Sequence, residues 1–184
     1  MPAQQEKAGI PNFPKVELDF SPQIPKMTKI EDKTKIDIRY CLISPFAFAH
    51  IYWDPKIYEI VYELEEPLLN KKEEDYRKRI LGAMREMINF DIIIEKDLQG
   101  LLDYIDQRFK FLAVELGIDM SYDNYKKIYY FLCRDFIGFN EIEPLLRDYF
   151  IEDIENNGTD GIDERDREAI CLWIDDAGKE WQSD

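Results

Sequence analysis

The sequence lacks the residues from which most small metal sites and many catalytic sites are built. Among its 184 residues there is a single histidine, His50, and only three cysteines, the widely separated Cys41, Cys133 and Cys171. No CxxC pair and no Cys/His cluster can be drawn, which argues against structural zinc and against a disulfide framework. The sequence therefore predicts a reducing compartment, no metal site, and thiols that pack as small hydrophobic groups.

Positive charge and long apolar runs are scarce as well. The chain has 24 Lys+Arg against 39 Asp+Glu, a net charge of −15, and a pI of about 4.5. A field of this sign repels phosphate backbones, so no nucleic-acid partner is expected. No stretch approaches the length of an uncharged membrane span, and the N-terminus has no apolar signal segment. Because 45% of the residues are hydrophobic and 14% aromatic, a folded core is expected despite the charge.

Nucleotide-binding motifs are missing too. The one Gly-Lys pair, Gly178-Lys179, has Trp173 where a phosphate loop needs its first glycine and Glu180 where it needs Ser/Thr. No GxGxxG occurs. His50 lies within a predicted strand, where a packed histidine is more usual than a catalytic base. The sequence thus predicts no catalytic residue and no cofactor site in this chain.

The chain begins with a proline-rich stretch. Five of the nine prolines fall within the first 26 residues, which prevents a helix or an interior strand there. We interpret residues 1–30 as an extended arm. Two alternatives stay open: an arm docked through Phe13, Leu18 and Phe20, or a floppy leader.

A small sheet is predicted next, over about residues 35–65. Ile36, Ile38, Tyr40 and Leu42 alternate with polar residues, which indicates a half-buried strand. Two further β-rich runs, 46–54 and 57–65, are separated by Asp54-Pro55-Lys56. Because Asp-Pro is a turn signal, these runs should form a hairpin.

Helical periodicity replaces the alternation from Asn70 onward. The spacing predicts helices from Asn70, over about 95–116 and over about 122–137, and a short one over 144–149. Asn70 and Glu73 suit a capping box, and Gly117 and Gly138 suit helix ends. The predicted class is α+β, with a small antiparallel sheet packed against a three- to four-helix layer. Residues 159–184 follow as an acidic tail or an amphipathic helix.

Two stretches together resemble a known family. KIDIRYCLISPFAFAHIYWDPKIYEIVYELEEPLLNKKE (35–73) resembles the opening of archaeal type II/IV secretion ATPases, most closely the archaellum (archaeal flagellum) motor ATPase. KIYYFLCRDFIGFNEIEPLLRDYFIEDIENNG (127–158) resembles the same family's RDFIG–IEPL–IEDI signature. The resemblance assigns residues 31–158 to a secretion-ATPase N-terminal-like domain.

In that family, such a domain precedes a RecA-like ATPase domain in a cytoplasmic hexamer beneath a polytopic membrane platform protein. The resemblance therefore implies two partners, the motor domain or full-length ATPase subunits and the platform protein, and a cytoplasmic location at the inner face of the membrane. The family's ATP and Mg²⁺ are held by motifs beyond the matching region. No catalytic residue is carried over, and this chain is expected not to be an enzyme.

The interaction surface is expected on two segments. One is the hairpin around His50, Tyr52 and Trp53, and the other is the RDFIG segment with Tyr130, Arg134 and Asp135. Of Tyr129, Tyr130 and Phe131, at least one should be exposed or at an interface, because they point in three directions around a helix. For Arg134 and Asp135 the alternative stays open that they form a buried or half-buried pair that positions this helix against the sheet.

Past residue 158 the sequence departs from the family, which runs on into its motor domain. Three alternatives follow: a non-catalytic regulatory or docking module, a fragment of a complete secretion ATPase, or a stand-alone acidic adaptor for a basic partner.

Overall fold

The chain has the α+β content that the sequence predicts, and it is divided between two units that the sequence does not predict. A computed structural model describes residues 12–21, 24, 26, 30–87 and 97–151. The helical unit comprises residues 1–19 and 66–143, and the sheet unit comprises residues 20–65 and 144–184. The predicted tail or helix over 159–184 lies outside the described residues, as do Cys171 and the first eleven residues of the predicted arm.

The sheet unit is built on a three-stranded antiparallel sheet, in the order β1-β2-β3. Its strands are β1 (Asp37–Ile43), β2 (Ala47–Asp54) and β3 (Glu59–Glu65). The predicted hairpin is confirmed, since β2 and β3 pair from Asp54↔Glu59 to Phe48↔Glu65. At its turn, an Asp54 carboxylate oxygen accepts the backbone N–H of Lys56 at 2.7 Å.

One face of this sheet is apolar and largely buried. It carries Tyr40, Leu42, Ala47 and Ala49, each at most 7% exposed. The segment 144–151 is tied to this face, because the hydroxyls of Tyr40 and Tyr62 both donate to Asp148, at 2.6 and 2.7 Å. Burial first, and then the Asp148 carboxylate, raise the pKa of both tyrosines, so the two hydroxyls stay protonated donors.

Four α-helices occur among the described residues. They are α1 (Lys71–Met87), α2 (Leu98–Glu115), α3 (Tyr122–Ile137) and the short α4 (Glu143–Leu146). The predicted capping box of α1 is confirmed: Asn70 Oδ1 accepts the N–H of Glu73, and a Glu73 carboxylate oxygen accepts the N–H of Asn70. Gly117 ends α2 with φ of +62°, the left-handed conformation typical of a helix C-terminus.

The core of the helical unit forms between α2 and α3. The Tyr125 ring stacks on Phe109 with centroids 4.6 Å apart, and the Tyr129 hydroxyl donates to the Leu102 carbonyl at 3.0 Å. The docked-arm alternative holds at Phe13, Leu18 and Phe20, of which Leu18 and Phe20 are buried, whereas Ile24 and Ile30 are exposed. The Phe13 ring lies 5.1 Å from that of Tyr125, and Lys110 donates to the Phe13 carbonyl at 3.1 Å.

Candidate functional site

Among the described residues of the sheet unit, none covers the second face of the sheet as segment 144–151 covers the first. Strand register places three cross-strand rows on it, and none of their members is buried. We call this surface the open sheet face. Its rows are Asp37–Tyr52–Val61, Arg39–His50–Glu63 and Cys41–Phe48–Glu65. Because side chains alternate along a strand, the pattern that predicted the buried face also fixes which residues lie here.

His50 lies at the centre of the open sheet face, between two carboxylates. Its Nε2 is 2.8 Å from Asp37 Oδ1, and its Nδ1 is 3.3 Å from Glu65 Oε1. Glu65 is also paired with Arg39, at 2.6 Å, and the Arg39 guanidinium lies over the Phe48 ring at 3.9 Å. These links cross all three strands, so they hold the middle of the face in one arrangement.

Tyr52 and Trp53 are neighbours in sequence but lie on opposite faces. Tyr52 is half-buried on the open sheet face, with its ring 4.7 Å from that of His50. Partial burial, then the nearby Glu63 and Asp54, raise the pKa of Tyr52. Trp53 lies on the apolar face near the hairpin turn, where Lys33 is 4.9 Å from its ring. The predicted trio therefore does not form one surface.

Acidic residues dominate the open sheet face. Along with Arg39, it presents the carboxylates of Asp37, Glu63 and Glu65, and at the hairpin end those of Asp54 and Glu59. Five carboxylates against one arginine create a local field of a single sign, which attracts cations and basic segments. The sequence-based prediction identified His50 and Tyr52 on this face but missed its acidic residues. The spacing of Glu59, Glu63 and Glu65 along β3 places them on one face of the strand and could have identified them.

The three residues predicted on the RDFIG segment do not form an accessible surface. Tyr130 and Arg134 are at most 1% exposed, and the side chain of Asp135 is 4% exposed. Arg134 Nη1 donates to both carboxylate oxygens of Glu66, at 2.8 and 3.0 Å. The Tyr130 hydroxyl donates a hydrogen bond to Glu66 at 2.5 Å, and Asp135 accepts a hydrogen bond from Arg77 at 2.5 Å. These residues position α3 inside the helical unit.

None of the three residues of the aromatic triplet is exposed, so the first of the two alternatives for it is wrong. Tyr129 and Tyr130 are fully buried, and Phe131 is 6% exposed. Phe131 is enclosed by two arginines of the same cluster, with Arg134 and Arg77 lying 4.8 and 5.1 Å from its ring. Helix α3 is therefore buried around most of its circumference, which a simple amphipathic pattern does not predict.

A small polar cleft lies where the N-termini of α1 and α3 meet. Its volume is about 300 Å³, and Asn70, Glu73, Tyr76 and Asn124 are among its lining residues. The Glu73 carboxylate is already engaged by Asn70, Asn124 and Lys127. The cleft thus contains a structural hydrogen-bond network, whereas most small-molecule sites are lined mainly by apolar groups.

The two thiols that the structure describes differ in environment. Cys133 is fully buried, and burial raises the pKa of its thiol. Cys41 is half-buried on the open sheet face, and its sulfur lies 3.6 Å from the Ala47 carbonyl oxygen. Over the described ranges, no three His, Cys, Asp or Glu side chains are grouped so as to hold a metal ion.

None of the described helices combines the length and the apolar character that a bilayer crossing requires.

Comparison with known proteins gives one distant relative. No protein-family model matches the chain. Over 98 residues it is 28% identical to the uncharacterized protein MJ1288 of the archaeon Methanocaldococcus jannaschii. That match covers 53% of this chain and 38% of the relative, so the chain spans well under two thirds of the relative's length.

Proposed function

We propose that this chain is a non-catalytic docking module of the kind that precedes the motor domain in archaeal type II/IV secretion and archaellum ATPases. It would act in the cytoplasm by protein–protein contact. Its partners would be a RecA-like motor domain and, through the assembled ATPase, a membrane platform protein. In this proposal the chain supplies a surface, and ATP and Mg²⁺ are bound by the motor domain.

The position of the family-like stretches supports the proposal. The first stretch, 35–73, contains all three strands and the capping box of α1. The second, 127–158, contains most of α3 and the whole of α4. The two stretches therefore include the whole sheet of the sheet unit and most of one core helix of the helical unit. The distant relative is archaeal, in agreement with the family named.

The observation that carries the proposal is the open sheet face. Half-buried aromatic and apolar side chains, Phe48, Tyr52 and Val61, lie there among charges of mainly one sign. Partly exposed aromatic residues with a polar surround are typical of protein-contact surfaces. Arg39 is held by an ion pair with Glu65, and each ring nitrogen of His50 lies within 3.3 Å of a carboxylate oxygen. The surface is therefore organised before any partner arrives, which lowers the entropy cost of binding.

Two alternative functions remain as outcomes of the same experiment. The chain could be one piece of a complete secretion ATPase, and the relative, of which only 38% is matched, is indeed longer than the shared segment. It could instead be a stand-alone acidic adaptor, which the five carboxylates of the open sheet face favour.

Light scattering with a separately purified RecA-like motor domain tests the proposal. The full chain is mixed with the motor domain, with and without ATP, and the mass of the complex and the rate of ATP hydrolysis are measured. We expect a complex and a changed turnover. A chain that stays apart from every motor domain tested, with turnover unaltered, would rule out the docking function. ATP hydrolysis by the chain alone would instead show an enzyme.

A matched pair of tyrosine variants assigns the effect to the open sheet face. Tyr52→Ala removes a half-buried ring from the centre of that face, and we expect it to weaken the complex by about tenfold or more. Tyr149→Ala removes a tyrosine that is 57% exposed elsewhere in the sheet unit, and it should change the affinity by less than about twofold. Equal losses in the two variants would contradict the assignment.

A further inference from the structure

Strand β3 forms one edge of the sheet, and in the part of the chain that the structure describes no strand lies beyond it. An edge strand presents N–H and C=O groups that can pair with an added strand. Proteins commonly block such edges with charged side chains, above all lysine, with proline or with a bulge. Strand β3, EIVYELE, contains no lysine and no proline, and its register with β2 is continuous over all seven residues. Its charged residues are three glutamates, which repel an acidic strand and attract a basic one.

The side chains of β3 differ between its two faces. Glu59, Glu63 and Glu65 lie on the open sheet face and are exposed or half-buried. Near the turn, Ile60 on the other face is 43% exposed and Tyr58 is 76% exposed. A strand added along this edge would therefore meet carboxylates on one side and apolar side chains on the other.

This charge pattern disfavours a second copy of the chain as the added strand. If two copies of β3 paired antiparallel about Tyr62, Glu59 of each would lie opposite Glu65 of the other on the open sheet face. Like charges placed directly opposite each other destabilise a strand pair. The chain's own C-terminal stretch is an unsuitable occupant for the same reason, since residues 152–184 carry twelve acidic and three basic side chains.

We infer that the β3 edge accepts, as a fourth strand, an extended partner segment in which lysine or arginine alternates with apolar residues. Its basic side chains would lie opposite the glutamates on the open sheet face. Its apolar side chains would extend the face that carries Ile60, Tyr62 and Leu64. The inference rests on the proposed docking function and adds the chemistry of the partner: a basic, strand-forming segment, recognised by backbone pairing and by charge.

A synthetic peptide tests this inference directly. The probe is an eight-residue peptide of alternating lysine and valine, carrying a fluorescent label, titrated with the full chain and followed by anisotropy. We expect saturable binding that weakens as salt is raised, because exposed charge pairs are screened over a Debye length of about 8 Å at physiological ionic strength. A peptide in which glutamate replaces lysine should not bind.

Backbone pairing is separated from simple charge attraction by a second peptide. The same sequence N-methylated at every amide keeps its charge but has no N–H donors, so its affinity should fall by about tenfold or more. In the complex with the unmodified peptide, amide hydrogen exchange should slow along β3. Equal affinity of the two peptides would overturn the inference, since the acidic surface alone would then account for binding.

Two charge-reversal variants locate the site. Glu59→Lys/Glu63→Lys changes the open face of β3, and we expect it to reduce peptide affinity by about tenfold or more. Glu74→Lys/Glu86→Lys makes the same change in net charge at two exposed positions of α1 and should leave the affinity within about twofold. Equal losses would show a general charge effect and overturn the inference, as would a dimer of the unmodified chain in light scattering that dissociates in the β3 variant.

The same variants distinguish failure of this inference from failure of the proposed function. If Glu59→Lys/Glu63→Lys still joins the motor domain with unchanged affinity, docking holds but does not use the β3 edge. If the unmodified chain binds the peptide but no motor domain, the edge is a site for a basic strand and the proposed family function is wrong.

Discussion

Replacing Arg134 with alanine should strongly destabilise the helical unit. The Arg134 side chain is 2% exposed, and it faces the carboxylates of Glu66 and Asp135, which are 12% and 4% exposed. Removing one partner of a buried ion pair typically costs about 3–5 kcal/mol, because the remaining charge is left desolvated and uncompensated. With total stabilities of about 5–15 kcal/mol for proteins of ordinary size, this is a large share.

Urea and thermal unfolding, followed by circular dichroism at the helix band, measure this cost. For a chain of this length, a loss of 3–5 kcal/mol corresponds to a fall in Tm of roughly 6–20 °C. It also lowers the urea midpoint by roughly 2 M, with the slope unchanged. As a control on the same helix, Lys126→Ala removes an ion pair with the largely exposed Asp123 and should leave the midpoint where it was.

A double-mutant cycle makes the reasoning refutable. Glu66→Gln alone should be destabilising, because it removes the anion that neutralises Arg134. In an Arg134→Met background the same change should be stabilising, because it then removes an orphaned charge. If Glu66→Gln has the same sign in both backgrounds, the cluster is not a compensated buried network. If Arg134→Ala leaves stability intact and abolishes partner binding, Arg134 contacts a partner and does not position α3.

Three further changes test other parts of the fold. Gly138→Ala places a Cβ against the buried Glu143 side chain, closer than van der Waals contact allows, and should cost about 1–3 kcal/mol in urea unfolding. A neutral result would show that this contact can relax. Asp148→Ala leaves two buried tyrosine hydroxyls without an acceptor, which should cost about 1–3 kcal/mol for each, whereas Asp148→Asn keeps an acceptor and should cost less. Burial alone would raise the pKa of Glu73, but its hydrogen-bond donors outweigh burial and lower it below the ordinary 4.5. The ionised Glu73 therefore stabilises the fold above about pH 4.5, and this stabilisation is lost as the pH falls through the lowered pKa. Glu73→Gln has no such carboxylate to protonate. Its melting temperature should therefore fall less steeply in acid than that of the unmodified chain.

Local patterns predicted most of the elements because each has a local cause. Alternation along β1 predicted the burial of Tyr40 and Leu42, and the Asp54-Pro55 turn predicted the hairpin. Along β3 no residue is buried, so alternation there predicted only which residues share a face. The reciprocal hydrogen bonds of Asn70 and Glu73 are set within four residues of sequence, so the start of α1 was predictable to within one residue.

The burial of α3 was not predictable in the same way, because its cause is distant in sequence. A buried pair of Arg134 and Asp135 was one alternative from the sequence, but the carboxylate that accepts two hydrogen bonds from Arg134 belongs to Glu66, 68 positions earlier, and local patterns could not identify it. Gly138 illustrates a second limit. The sequence predicts it as a helix end, which it is, but its φ of −99° does not need glycine. Glycine is required by the close approach of Glu143.

The candidate site was predictable in its residue types but not in its connections. The lone histidine in a strand attracted attention, whereas its two carboxylate neighbours come from β1 and β3 and become its neighbours only through the strand register. The same register separates Tyr52 from Trp53, which the sequence had grouped together. The residues that interact on a sheet surface lie opposite each other on neighbouring strands, so the sequence of one strand alone does not predict which residues form a surface together.

The distribution of charge indicates which part of the molecule is suited to steer a partner. In the helical unit, the least exposed charged side chains are paired with each other, as in the Arg134–Glu66 and Arg77–Asp135 ion pairs. Along α1, acidic and basic side chains are interspersed, so their fields largely cancel. On the open sheet face five carboxylates meet one arginine, and there the field keeps a single sign. The association rate constant with a basic partner should therefore be high at low salt and should decrease as salt is raised. Charge-changing substitutions in β3 should alter this salt dependence, whereas substitutions elsewhere that change the net charge equally should not.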